Sequence, residues 1–327
     1  MSTQAPAAVL LIRPHHFTPN PATAVDNAFQ ALDPSRSAEQ IARDAYAEVT
    51  GVAETLTREG IRVHVFENEL ATHPDSVFPN NWFSTHAGGY VAIYPMHSES
   101  RRIERRTDII EMLKRSYRVQ EVADYSGLEY DQIFLEGTGA MVLDHVNRVV
   151  YAARSNRANP MALERFCTRF GYESLVFEAV DSSGQPIYHT NVMMCIGTHF
   201  VIIGIDMVAD RRRRAEVVAA VEDSGRELVA LRPEQVHEFA GNAIELHGPD
   251  GHLLVMSRRA RACLDRAQVE VLQRSCRIVD VEVPTIELAG GSVRCMLAGI
   301  HLTPRRRAVS GTATMPHKEE QTNLHVT

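Results

Sequence analysis

Paired cysteines are what this sequence most plainly lacks. Five cysteines, an odd number, are scattered through 327 residues without any Cys-x-x-Cys spacing. That argues against a disulfide framework and predicts reduced thiols. No His-Glu-x-x-His occurs, and the histidines, His15-His16 included, are dispersed, so no metal is expected. No Gly-x-Gly-x-x-Gly follows a strand either. Gly137-Thr138-Gly139 lacks the third glycine, and no cofactor is expected. Positive charge is also short: the net charge is −7, which speaks against a nucleic-acid partner. Arg211–Arg214 form the one dense basic run and read as the solvated face of a helix. Long apolar runs are missing too. The uncharged stretch Thr190–Ile205 is broken by Gly197-Thr198-His199, which reads as a turn between buried strands and not as a membrane span. The first six residues carry no basic segment of the kind that opens a secretory signal. A cytoplasmic location without membrane or nucleic-acid partners is the expectation.

What is present is an ordinary globular composition, 44% apolar and 23% charged, organised as a repeat. Five segments share one plan: a short polar or Gly motif, an apolar strand, a turn, a second strand, a helix and a third strand. The second copy shows it best. Leu135-Glu136-Gly137-Thr138-Gly139 leads into a strand over Ala140–Asp144, with a return strand over Arg148–Ala153. Asn159-Pro160 suits a helix start, Met161–Phe170 has helical apolar spacing, and Gly171 ends it before a strand over Tyr172–Glu178. The copies start near Asn80, Glu136, His189, Ala240 and Gly290, with successive spacings of 56, 53, 51 and 50. The fifth copy, with a strand expected over Val293–Ala298, has no helix after it, because a polar tail runs from about 303 to 327. The missing parts stand at the other end: a strand Val9–Ile12, a helix Ala38–Glu59 and a strand Arg62–Phe66. A circle closed by its own N-terminal segment would supply them and remove the exposed sheet edges. The expected fold class is therefore α/β, a five-bladed α/β propeller of ββαβ repeats forming one domain over residues 1–327.

In such a ring, equivalent loops point at one central channel. Glu136, His189 and, slightly further on, Cys295 fall near equivalent positions, while the other copies carry amide or Gly residues there. A thiol, an imidazole and a carboxylate brought together are the parts of nucleophilic catalysis. Taken singly, a buried cysteine, a structural histidine and a turn-capping glutamate are the ordinary readings.

These residues resemble the guanidine-modifying superfamily of penteins, which holds arginine deiminases, dimethylargininases and amidinotransferases. Leu135–Gly139 looks like the family's Glu-Gly-Gly-Asp stretch, from which Thr138 and Gly139 depart. His189 matches its histidine, and Cys295 its nucleophile. Ser155-Asn156-Arg157-Ala158-Asn159 resembles the segment whose arginine holds the substrate carboxylate. The resemblance implies attack by Cys295 on a guanidino or ureido carbon. His189 would act as acid and base, Glu136 would orient it, and Arg157 would bind the α-carboxylate, with Arg101 or Arg102 as weaker second candidates. Asn191 stands where arginine-processing members carry a carboxylate. Pro79-Asn80-Asn81-Trp82-Phe83-Ser84-Thr85-His86 likewise ends in His86 in place of Asp. Amides at Asn80, Asn81 and Asn191 suit a neutral ureido group, because an amide can donate to the ureido oxygen. The pattern thus looks like the citrulline-utilisation hydrolase branch. Arginine deiminase, arginine dihydrolase, dimethylargininase and amidinotransferase activities stay open, as does a non-catalytic pentein binding protein. The expected partner is a small-molecule amino acid; homo-oligomer formation is left open.

Overall fold

A computed structural model describes residues 3–305. Of the polar tail, the part from 306 to 327 lies outside the described residues.

Strand β1 (Ala8–Pro14) runs into helix α1 (Ala38–Arg58) and strand β2 (Arg62–Asn68). Helix α1 starts where Ser37 and Gln40 cap each other's backbone N–H groups. Its apolar stripe of Ile41, Ala45, Val49, Val52 and Leu56 is buried against strands from both ends of the chain. Each such aliphatic side chain contributes about 1.5–3 kcal/mol when fully covered.

Four further units follow. The first holds β3 (Phe83–His86), β4 (Tyr90–Ile93), the short α2 (Glu99–Arg102), α3 (Thr107–Ser116) and β5 (Glu121–Asp124). The second opens with a helical turn, α4 (Gly137–Ala140), then β6 (Val142–Asp144), β7 (Val149–Ala153), α5 (Pro160–Phe170) and β8 (Glu173–Phe177). The third holds β9 (Met194–Ile196), β10 (Phe200–Ile203), α6 (Arg211–Asp223) and β11 (Glu227–Ala230). The fourth holds α7 (Pro233–His237), β12 (Ile244–Gly248), β13 (Gly251–Ser257), the broken pair α8 (Arg258–Cys263) and α9 (Arg266–Gln273), and β14 (Arg277–Val281). The chain then makes α10 (Val293–Met296) and β15 (Ala298–Gly299).

Every sheet has three strands and the same pairing, an antiparallel hairpin whose second strand takes a third in parallel. The fifth sheet is assembled from both ends of the chain: β15 pairs antiparallel with β1 through Val9 and Leu10, and β1 pairs parallel with β2. The first strands of successive sheets are neighbours, β15 beside β3, β6 beside β9, and β9 beside β12, with α4 between β3 and β6. The result is a mixed α/β fold of five small sheets, as the repeat predicts.

Two local expectations differ. Residues 293–296 form a helical turn, not a strand, because the Asn242 side-chain oxygen accepts from the backbone N–H of Ser292 (3.1 Å) and Cys295 (3.4 Å) and curls the segment. Ala140 belongs to α4 for a similar reason: Glu136 O accepts from Gly139 and Ala140 N–H. The Arg211–Arg214 run behaves as expected, standing on the outer face of α6 with Glu216 paired to Arg212 and Arg213. Among the described residues, no helix is long and apolar enough to cross a membrane.

Buried histidines give the fold a pH dependence. His86 and His145 lie among Phe166, Phe170 and Tyr172. Their nitrogens meet Ser84 Oγ (2.7 Å) and Tyr172 OH (3.0 Å) respectively. Burial, followed by the nearby charge of His301, pushes His86 down to about 3 and His145 well below its ordinary value. The unfolded chain therefore takes up these protons below roughly pH 6.5 while the folded one does not. Stability is present above that value and is lost as pH falls, at about 1.4 kcal/mol per pH unit for each histidine. Urea midpoints measured from pH 7 to pH 5 should fall steeply, and His86→Gln should flatten the slope by one proton.

Candidate active site

Short turns at the repeat starts aim side chains inward. A 3₁₀ turn at Pro79–Asn81, α4, a second 3₁₀ turn at Thr190–Val192 and α10 each precede the first strand of their unit. The turns after the first are crowded against their neighbours. At Gly139, an added Cβ would fall 2.5 Å from Asn81 Oδ1 and 2.8 Å from His189 Nδ1. At Gly137, with φ +46°, it would strike Asn80 O at 2.6 Å. Glycine at these two positions lets the turn approach Asn80, Asn81 and His189 this closely.

Glu136, His189 and Cys295 come from three separate units. His189 Nε2 lies 2.8 Å from Glu136 Oε2, and both side chains are buried. His189 and Cys295 line one small cavity of about 20 Å³, together with Thr23, Asn27, Asp75, Asn81, Arg101, Arg157 and Tyr188. That is the room of a single water. Burial would raise the Glu136 carboxyl, but the Arg157 charge, the His189 hydrogen bond and Arg101 hold it well below the usual carboxylate range. Burial pulls His189 down, against the pull of Glu136. Burial also pushes the Cys295 thiol up, opposed by hydrogen bonds from Asn242 (3.2 Å) and Asn191 (3.3 Å) and by the charge of Arg294.

The arginine candidates separate. Arg157 is buried, lies 3.4 Å from Glu136, and is held by a two-pronged contact to Asp26. Arg101 is also buried, bonded to Glu104 at 3.1 Å and 4.0 Å from Glu136. Arg102 turns away, giving Nε and Nη2 to the carbonyls of Met96 and His97, and does not line the cavity. Asn81 lines the cavity and Asn191 touches the sulfur, whereas Asn80 is buried outside it, donating to Thr138 Oγ1 at 3.3 Å.

His86 sits in its aromatic cluster, outside the cavity lining, so its replacement of Asp carries no information on substrate charge. The sequence reading also missed Asp75, Asn242, Asn27 and Tyr188. Asp75 is a second buried carboxylate on the cavity, 3.8 Å from Arg101. Beside it, burial lifts Glu104 to about 8 despite Arg101. Among the described residues no group of three His, Cys, Asp or Glu is placed to hold a metal ion.

A thiol, an imidazole–carboxylate pair and two inward arginines on a five-sheet α/β frame define a pentein of the guanidine-modifying superfamily. The profile of the family "N,N dimethylarginine dimethylhydrolase, eukaryotic" matches residues 13–302, and the chain belongs to that family. No curated protein matches it significantly. Several solved structures share the fold. The substrate-bound N-terminal domain of ArgZ, an arginine dihydrolase from the ornithine-ammonia cycle in cyanobacteria, superposes with a TM-score of 0.68 at 14% identity, over 90% of this chain and 97% of that one. A mutant of AgrE in complex with L-arginine gives 0.70 at 15% identity, over 92% of this chain and 41% of that one. A dimethylarginine dimethylaminohydrolase adduct with 4-chloro-2-hydroxymethylpyridine gives 0.62 at 14%, over 92% of this chain and 100% of that one.

Proposed function

We propose that this chain is a single-domain, closed five-bladed hydrolase that converts citrulline and water to ornithine, carbon dioxide and ammonia. The observation that carries the substrate choice is the setting of Cys295 Sγ, which lies between the neutral amides of Asn191 and Asn242. A ureido group has no charge for a carboxylate to neutralise, and its oxygen needs donors. The pairing of β15 with β1 supports closure of the ring.

The chemistry follows from the placement. Glu136, held ionised, accepts from His189 Nε2 and leaves Nδ1 as a base. The Cys295 thiol gives its proton to His189, and the resulting thiolate attacks the ureido carbon. His189 protonates the departing nitrogen and then takes a proton from the water that hydrolyses the thiocarbamoyl adduct. Arg157 binds the α-carboxylate by a bidentate fork, displacing Asp26. Arg101 backs this pair. The cavity is small, about 20 Å³, with Thr23 and Asn27 among its lining residues.

A second reading, hydrolysis of arginine, is favoured by Asp75, which together with Glu136 gives two buried carboxylates for a guanidinium. One assay decides: purified protein is offered citrulline, arginine, methylarginines and agmatine, and ornithine, ammonia and citrulline are quantified. Ornithine from citrulline is expected. Turnover of arginine with none of citrulline would overturn the substrate choice and leave the cysteine mechanism standing.

A further inference from the structure

We propose that Asn242 is a catalytic residue whose side-chain amide stabilises the Cys295 thiolate before substrate arrives. The inference rests on the reading of Cys295 as nucleophile and extends it to a residue from a fourth repeat unit.

A cationic guanidinium brings its own charge to a thiol and helps ionise it. A neutral ureido group brings none, so the free enzyme has to supply the stabilisation itself. Burial works against it, since Cys295 is 2% exposed. Three side chains work for it, Asn242, Asn191 and Arg294, the last next in the chain, together with the backbone at Ser292. The two amides differ in one respect. Asn191 presents both its ends to the sulfur, Nδ2 at 3.3 Å and Oδ1 at 3.6 Å, and so serves thiol and thiolate alike. Asn242 has only one orientation. Its Oδ1 accepts from the backbone N–H of Ser292 and Cys295, and its Nδ2 donates to Asn191 O at 3.0 Å. Rotating the amide would set two donors against two donors and two acceptors against each other. Sγ therefore always meets a fixed N–H at 3.2 Å. A preorganised donor aimed at a reacting charge is a strong form of electrostatic catalysis. The other groups around the thiol, namely Tyr188 and His189 beside it and Asp75, Arg101 and Arg157 across the cavity, would be common to every variant.

Asn242→Asp keeps the oxygen that holds the Cys295 turn and puts a carboxylate oxygen in place of the donor. Asn242→Ala removes both. Alkylation of Cys295 by iodoacetamide, followed by mass spectrometry of its peptide from pH 5 to 10, reads the thiolate directly without any substrate. Folding of each variant is checked by circular dichroism, and the alanine variant decides if the aspartate variant does not fold. The expected result is alkylation at pH 7 slowed about tenfold or more in either folded variant, a shift of one unit in the thiol's titration. A fall in kcat of about 10²-fold is expected to accompany it. A variant profile superimposable on the wild type overturns the proposal. So does an Asn242→Asp enzyme of full activity, which would leave Asn242 only the task of holding the turn. Absence of Cys295 alkylation in the wild type up to pH 10 would instead fail the nucleophile reading itself.

Discussion

Cys295→Ser should reduce turnover by about 10⁴-fold or more while leaving the fold intact. The two atoms differ little in size, and the serine hydroxyl would still accept from Asn191 and Asn242. What changes is ionisation, because an alkoxide is far harder to form than a thiolate. Burial already pushes the thiol up, and the amides of Asn242 and Asn191, Arg294 and the backbone at Ser292 pull it back. That small opposing set cannot ionise a hydroxyl. Cys295→Ala should be equally inactive and slightly less stable. It leaves Asn191 Nδ2 without its sulfur acceptor, a loss of about 1–2 kcal/mol. Thermal melts would separate the two effects: loss of activity with an unchanged melting temperature in the serine variant is the signature of a nucleophile. Cys167, Cys195, Cys263 and Cys276 are also free thiols, but none lines the cavity. Burial lifts Cys167, Cys195 and Cys276 to about 12 and Cys263 to about 11, so they are poor thiolates. Serine at any of these four should leave kcat within about twofold, because a substitution away from the reacting atoms acts through stability alone. Equal activity in Cys295→Ser and wild type would remove the cysteine from the mechanism.

The repeat was legible because each unit alternates long apolar stretches with strong turn residues, and that signal survives without knowledge of contacts. Glu136, His189 and Cys295 could be brought together on that basis alone. The turns that aim them could not be read, since three- or four-residue helices are too short to show a period. Hence Val293–Met296 looked like a strand, and the side chain that makes it a helix, Asn242, lies some fifty residues upstream. Asp75 precedes the first repeat start in a stretch with no periodicity, and its buried contacts with Asn20, Glu104 and Arg101 hold it at the cavity. Arg101 and Arg102 are adjacent on one helical turn, so they point about 100° apart. Sequence gave no means of choosing which faced inward. His86 was misjudged from motif comparison alone; its place is set by packing against Phe170, a residue more than eighty positions away.

Glu136→Gln should cost both stability and turnover, and the charge is the reason. The amide preserves the shape but removes the counter-charge of two buried guanidinium groups, Arg157 at 3.4 Å and Arg101 at 4.0 Å. Removing one partner of a buried pair destabilises by about 3–5 kcal/mol. Asp26 and Asp75 remain near those arginines, so the lower end of that range is expected. The pH dependence carries the sign. Because the folded Glu136 is held well below the usual carboxylate range, its contribution is present above roughly pH 4.3, the unfolded value, and is lost as pH falls below it. The wild-type advantage over Glu136→Gln should therefore be constant from pH 5 to 7 and shrink under acid. Turnover should fall by about 10³-fold through His189, because an imidazolium formed during the reaction would lose the carboxylate that stabilises it at 2.8 Å. Burial already disfavours that cation, and Glu136 is the main group opposing burial there. Without it, the histidine can still accept a proton only at a higher cost in the transition state, so kcat should drop while KM changes little. A Glu136→Gln enzyme with wild-type kcat and a raised KM would place the carboxylate on the substrate instead of on the histidine.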